Sequence, residues 1–484
     1  MITQFDKRNI SMMMDLYEIT MANGYFSQDN ANKLVVFDVF YRKNPDKGGF
    51  AIFAGLEQVI EYIENLNFEV DDIEYFRSMN LFSEDFLEYL SNFEFKGDIY
   101  AFKEGTIMYP NEPIITVVAP LIDAQLVETA ILTQINHQSL IATKARRIVN
   151  AANGHIVSDF GARRAHNVDA AVYGARAAYI GGVDSTSNVM SAKQFGIPVS
   201  GTMAHSWVMF YKDEYEAFKH YAKTYPDETV LLVDTYDVIR SGIPNAIRVA
   251  KEVLEPMGKR LKGIRLDSGD LAYLSKKVRV MLDEAGLKDC KIFVSNSLDE
   301  YTITSLVNQG SKIDGFGVGE RLITAKSDPV FGAVYKIAAV EENGIFVPRI
   351  KISETIEKIT NPGLKKVYRV YCEEGNAIAD LITKADEIVD MEKPYRYIDP
   401  EKPWENRYFK NCTIKELQHL VMKNGKRVYQ ASSIDEIRSY VDHQLQTEIW
   451  KEEQRFENPH KHYMDMSPYY YELKMSLLHE AQNE

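Results

Sequence analysis

KGIRLDSGD (262–270), CKIFVSNS (290–297) and IDGFGVGE (313–320) share one form: each is apolar at its start and turns polar or glycine-rich at its end. Three earlier runs repeat it: HIVSDFG (155–161), IPVSGTMAHS (197–206) and TVLLVDTYD (229–237). Amphipathic stretches of helical period lie between them, at Asn167–Tyr179, Glu214–Tyr225, Asn245–Leu254 and Leu271–Ala285. Strand-then-helix alternation predicts βαβ units and a parallel sheet. Six runs, with the short Gly182–Ser187 segment, approach the strand count of a β/α barrel. In such a barrel the C-terminal strand ends share the face on which barrel enzymes place their chemistry. Gly, Asp and Ser are also ordinary turn and cap residues, so one polar ending carries no weight. Six of six, bearing His205, Asp234, Asp237, Arg265, Asp267 and Asp270, favour a site.

Outward from this block the pattern changes. Before it, Leu34–Tyr41, Gly97–Lys103 and Ile114–Val118 read as strands and Gly55–Asn65 as a helix, while Leu121 to about Ala152 is helical throughout. After residue 350 the strand–helix grammar stops. Residues 390–408 are rich in Pro and aromatics, and Ser433–Phe456 reads as one charged helix. The expected fold is α/β: an N-terminal α+β sandwich-like domain (1–125), an irregular parallel β/α barrel as catalytic domain (126–350), and a C-terminal helical segment (351–484) wrapping the other two.

Composition narrows the function. The 484 residues are 45% hydrophobic and 26% charged, which is ordinary globular usage. Against 56 Lys and Arg stand 70 Asp and Glu, a net charge of −14. Generic nucleic-acid binding wants the opposite balance. An anionic ligand must therefore be held by local arginines and backbone N–H groups. The three cysteines, Cys290, Cys372 and Cys412, are scattered, offering no disulfide framework and suiting a reducing compartment. No signal peptide is apparent, and the longest apolar stretch, Pro113–Ile122, is too short to span a membrane. A soluble, cytoplasmic protein is expected.

Four motifs can carry chemistry. GTMAHS (201–206) presents His205 as a general base, phosphoryl acceptor or structural histidine. Metal ligation is disfavoured, because no second His or Cys lies at ligand spacing. The neighbouring VDTYD supplies Asp234, which could orient the imidazole. RLDSGD (265–270) offers a guanidinium and two carboxylates, suited to sugar hydroxyls or Mg²⁺, although one aspartate is expected to cap the next helix. DFGARRAH (159–166) places two arginines where phosphate could bind, and GFGVGE (315–320) lets backbone approach a phosphate. HKH (460–462) reads as a solvated surface cluster.

Taken in order, DLYEITM (15–21), SDFGARRAH (158–166), STSNV (185–189), GTMAHS, VDTYD, RLDSGD and GFGVGE resemble the nicotinate phosphoribosyltransferase family. The resemblance runs to the C-terminal NPHKHYMDMSPYYYELK (458–474). It implies an ATP-coupled C–N ligase of NAD salvage, joining nicotinate to 5-phosphoribosyl-1-pyrophosphate with Mg²⁺, as a homodimer with shared active sites. No nucleic acid or membrane partner is implied. By this resemblance His205 is the transiently phosphorylated histidine and Asp234 its orienting carboxylate. Phe160 and Arg265 sandwich the pyridine, Thr202 and Ser187 contact nicotinate, and Asp15 and Tyr17 reach a site from the partner subunit. Arg163 contacts phosphate, and Asp267 contacts ribose hydroxyls or Mg²⁺. Gly317, Gly319 and Thr324 form the 5′-phosphate loop, from which Glu320 must point away. The rivals are a nicotinamide-using relative, a sugar-phosphate barrel aldolase or isomerase, and a non-catalytic metabolite binder.

Overall fold

A computed structural model describes residues 9–355 and 358–483. The chain divides into two compact units, residues 141–329 and residues 1–140 with 330–484. The expected 1–125 and 351–484 segments therefore belong to one unit, and the division falls inside the helix Glu128–Ala151.

The 141–329 unit is built on a six-stranded sheet: β1 (Ile156–Asp159), β2 (Ser185–Thr186), β3 (Val230–Leu232), β4 (Gly263–Leu266), β5 (Lys291–Ser295) and β6 (Gly315–Val318). Their order is β2-β1-β6-β5-β4-β3 and every pair is parallel. The first strand thus pairs with the last, the cyclic order of a barrel, while the ladder stays open between β2 and β3. The apolar runs bury both faces, with Val157, Leu231, Ile264, Leu266, Ile292, Val294 and Val318 fully enclosed. Helices return between strands from side-chain caps. Asn167, Asn188, Asp213, Asp270 and Asp299 each accept a backbone N–H in the first turn that follows.

One expected strand is absent. IPVSGTMAHS, in the gap between β2 and β3, contributes a single parallel bridge at Val199, with Thr186 donating to Pro198 O and accepting from Ser200 N. Pro198 has no N–H to extend a ladder. The remainder runs as a loop to the helix His205–Phe210.

The other unit carries a seven-stranded antiparallel sheet. Its strands run Ile345–Pro348, Val334–Glu342, Leu34–Phe40, Ile115–Pro120, Asp98–Phe102, Gln418–Lys423 and Lys426–Arg427. A four-stranded sheet joins Thr413–Glu416, Lys365–Tyr371, Ala377–Lys384 and Met464–Met466. The C-terminal segment is thus strand and helix in similar measure rather than a helical wrap. Lys365–Tyr371 buries Lys365 and Arg369 beside Val367 and Val370, so no simple apolar alternation announces the strand in the sequence. The charged helix is Ile434–Thr447, ending earlier than expected, and the side chains of Gln454 and Lys451 donate to the Leu445 carbonyl freed at its end.

His462 is buried rather than solvated. It stacks on Tyr109 at 3.7 Å and sits 3.1 Å from Glu453 and 3.6 Å from Asp380, which Arg369 grips in two hydrogen bonds of 2.9 and 2.7 Å. The guanidinium holds Asp380 far below the usual carboxylate range. Among the described residues no helix is long and apolar enough to cross a membrane.

Beside this cluster Asp465 is buried with one carboxylate oxygen unpartnered among the described residues, and burial, reinforced by Asp399, pushes its carboxyl up to about 7. A carboxyl raised on folding adds no penalty below its unfolded value near 4 and costs stability increasingly as pH rises towards 7. Asp465→Asn should therefore exceed the wild type by only about 1 kcal/mol near pH 4.5 and by a few kcal/mol at pH 8. Unfolding midpoints at the two pH values check this, and a gap that does not widen with pH excludes Asp465 as its source.

Candidate functional site

The polar ends of β1, β3, β4 and β5 build one constellation, with Asp234 at its centre. Its side chain is 1% exposed, so its charge must be met by hydrogen bonds. Oδ1 faces His205 Nε2 at 3.2 Å, while Oδ2 accepts from the Asp267 backbone N–H at 3.0 Å and from Ser268 Oγ at 2.6 Å. One carboxylate thus ties the loop after β3 to the loop after β4 and to the first turn of His205–Phe210. The imidazole is half-exposed. With Nε2 facing Asp234, Nδ1 is the nitrogen without a hydrogen bond among the described residues.

Asp267 is the next member. Ser295, closing β5, donates its hydroxyl to Asp267 Oδ1, leaving Oδ2 free of protein hydrogen bonds among the described residues. Asp270, three residues on, caps the helix Leu271–Glu284 through Tyr273 N, and Asp237 likewise caps Val238–Gly242. Of the six candidate endings, those two are caps and His205, Asp234, Arg265 and Asp267 converge.

Arg265 lies over the Phe160 ring with its guanidinium carbon 6.0 Å from the centroid, and Nη2 donates to Met203 O at 3.1 Å. Its Nε is buried without an acceptor among the described residues, and burial lowers the affinity of the group for its proton despite Asp267 and Asp234 nearby. An unmet buried donor costs about 1–3 kcal/mol, which an anionic ligand would recover. Two van der Waals contacts span about 7 Å, so a flat ring enters between guanidinium and Phe160 once they part by about 1 Å. Thr202 Oγ1 donates to the same Met203 carbonyl at 3.3 Å, fixing the loop against Arg265.

Glycines place Phe160. A Cβ on Gly317 would lie 2.4 Å from the ring, and one on Gly319 would lie 3.1 Å from the Phe160 carbonyl oxygen. Whatever else these glycines do, they open the space in which the aromatic sits. Asp159, fully buried, accepts from Gly161 N and from Thr186 Oγ1, each at 2.8 Å, and so fixes the backbone on both sides of β1. Ser187 N donates to the Asp159 carbonyl at 2.9 Å, which sets Ser187 beside Phe160. Asn188, not Ser187, caps Val189–Phe195, and the Ser187 hydroxyl has no hydrogen bond among the described residues.

Arg163 is exposed, makes no ion pair among the described residues, and lies near enough to Arg265 to perturb it. Glu320 is drawn off by Lys326 at 2.7 Å, and Thr324 donates to the Glu320 carbonyl at 2.8 Å. Asp15 and Tyr17 belong to the other unit, where Asp15 caps the helix Leu16–Ser27 and Tyr17 is 44% exposed. The reading from sequence missed Asp159, Ser268 and Ser295. Ser268 lies inside RLDSGD, where the two carboxylates are the stronger chemical signal. Among the described residues no three His, Cys, Asp or Glu side chains converge to hold a metal.

Three family models match: the nicotinate phosphoribosyltransferase N-terminal domain at residues 12–136, the family's central model at 156–372 and its C-terminal domain at 364–474. A nicotinate phosphoribosyltransferase of Bacillus subtilis (strain 168) is 47% identical over 99% of this chain and 97% of its own. One from Mus musculus is 30% identical over 90% of each. The human nicotinic acid phosphoribosyltransferase structure superposes with a TM-score of 0.85 at 27% identity, covering 96% of this chain and 99% of that one. A nicotinate-nucleotide pyrophosphorylase of Pyrococcus furiosus superposes with a TM-score of 0.68, also at 27% identity, over 92% and 99%. On this evidence the chain belongs to the nicotinate phosphoribosyltransferase family.

Proposed function

We propose that this protein joins nicotinate to 5-phosphoribosyl-1-pyrophosphate, giving nicotinate mononucleotide and pyrophosphate, and couples that reaction to ATP hydrolysis through His205. The observation that carries the reading is the Arg265–Phe160 pair with its unmet buried donor, set beside the His205–Asp234 contact in a chain of this family. The pyridine nitrogen attacks the anomeric carbon as the bond to pyrophosphate breaks, so charge builds on the leaving group. Stacking between Phe160 and Arg265 holds the ring in line, and Arg163 at the rim stabilises the leaving phosphates. The nitrogen lone pair is itself the nucleophile, so no general base is required. Bound Mg²⁺ would offset phosphate charge. Asp267, with one free oxygen, can hold it only together with substrate phosphates, the usual mode for this ion.

In the coupled half-reaction Nδ1 of His205 takes the γ-phosphoryl of ATP, ADP departs, and water later cleaves the P–N bond to release phosphate. Asp234 keeps the proton on Nε2 and balances the charge. A homodimer with sites completed by the partner's helix bearing Asp15 and Tyr17 is part of the same proposal.

His205→Ala should abolish acid-labile labelling by γ-labelled ATP and remove ATP stimulation, while uncoupled synthesis persists. Labelling that survives in this variant excludes His205. Ser268→Ala, which deletes one donor to Asp234, should lower the rate of histidine phosphorylation about tenfold and leave KM for nicotinate unchanged. A change in KM alone would show that Ser268 touches substrate instead.

Ser187 governs which pyridine is used. Its unengaged hydroxyl can donate to the nicotinate carboxylate, whereas aspartate there would set two negative charges at close range. At about 4 Å and an effective dielectric of 20 the repulsion is about 4 kcal/mol, nearly three decades in affinity. Ser187→Asp should therefore lower kcat/KM for nicotinate by at least about a hundredfold relative to nicotinamide. An unchanged ratio removes the specificity role, and a wild type that prefers nicotinamide overturns the substrate assignment.

A further inference from the structure

The three cysteines are far apart in sequence, yet two of them lie one residue beyond the last recorded pair of one antiparallel ladder. Lys365–Tyr371 and Thr413–Glu416 pair antiparallel, with Val370 opposite Ile414 and Tyr371 opposite Thr413. One step further the register sets Cys372 opposite Cys412. Directly opposed residues in an antiparallel pair have Cα atoms about 4.5–5.5 Å apart, inside the range a disulfide spans. The face is shared as well. Cys372 lies two residues beyond Val370 and Cys412 two before Ile414, and Val370, Ile414 and Cys412 pack in one apolar cluster. The irregularity in the neighbouring ladder spares this alternation, because its extra residue, Ile378, lies on the strand Ala377–Lys384. A separate sign of proximity is that Cys372 lies within electrostatic reach of the Cys412 thiol.

We propose that Cys372 and Cys412 are a reversible thiol–disulfide site, oxidised in place by a peroxide-class oxidant. Cys372 is the partly exposed member, beside Glu374, and Cys412 is the buried one, donating to the Lys410 carbonyl at 3.1 Å. The Cys372 sulfur, as thiolate, attacks one peroxide oxygen, the O–O bond breaks, and water leaves once the departing hydroxide is protonated. The product is Cys372 sulfenic acid. The Cys412 sulfur then attacks the sulfenic sulfur, the S–S bond forms, and a second water departs. In sum two thiols and one hydrogen peroxide give one disulfide and two waters. A small-molecule dithiol reverses it by exchange. Cys290 stands apart: it is buried, and burial pushes its thiol up to about 12, so it stays reduced.

The test treats the full-length protein with micromolar hydrogen peroxide, denatures and alkylates it, and maps the peptides. Alkylatable thiols should fall from three to one, with Cys372 and Cys412 in a single linked peptide, Cys290 alkylated, and full reversal by dithiothreitol. Cys372→Ser should retain both remaining thiols under the same treatment. Oxidised wild type should melt several degrees higher, since the bond closes a loop of about 40 residues in the unfolded chain. Three persisting thiols, sulfinic acid on Cys372 without a link, a link between chains only, or a lower melting point on oxidation would each overturn the proposal.

Discussion

Asp234 holds the site together by being shared. A buried carboxylate must be saturated with donors, and here the donors are a backbone N–H and a hydroxyl from the next strand's loop, with an imidazole from a third segment. Each partner is therefore placed by the same charge. Neither the loop after β4 nor the turn carrying His205 can shift without leaving that carboxylate short of a hydrogen bond, a penalty larger than the net value of any one bond. The parallel sheet delivers the strand ends to one neighbourhood, and Asp234 turns that neighbourhood into fixed geometry.

A second constraint is steric. Phe160 lies where a side chain at position 317 would have to be, and the buried Asp159 clamps the chain around it. The aromatic is thus held by absence on one side and by hydrogen bonds on the other. Arg265 completes the arrangement, kept over the ring by the Met203 carbonyl rather than by an ion pair. Its charge remains available because no carboxylate among the described residues is bonded to it.

What could be read from sequence was what is encoded locally. The helices Val168–Ile180 and Leu271–Glu284 appeared within about a residue of their expected limits, because apolar period and an Asn or Asp cap are neighbours in sequence. Asp234 beside His205 held although the segment bearing His205 forms no full strand, because that loop still runs from a parallel bridge at Val199 to the end of β3. IPVSGTMAHS misled, since its apolar opening matches a strand while Pro198 prevents a full ladder. His462 misled for a different reason. Its burial depends on Met464–Met466 docking alongside Ala377–Lys384 and on Tyr109, more than three hundred residues earlier, and no local pattern records such distant partners. The pairing of Cys372 with Cys412 is of the same kind, fixed by register and invisible in spacing.

The pairing of Gln418–Lys423 with Asp98–Phe102 has a consequence for how the protein is made. On the ribosome the early strands emerge with one edge bare, and their neighbour is translated more than three hundred residues later. The stretch 141–329 is a compact unit made of one continuous run of chain, so it can fold in the meantime. The older half must wait, its apolar strands Leu34–Phe40 and Ile115–Pro120 exposed to other nascent chains. The order of maturation is therefore inverted relative to the order of synthesis, and the period of greatest vulnerability to aggregation falls before termination.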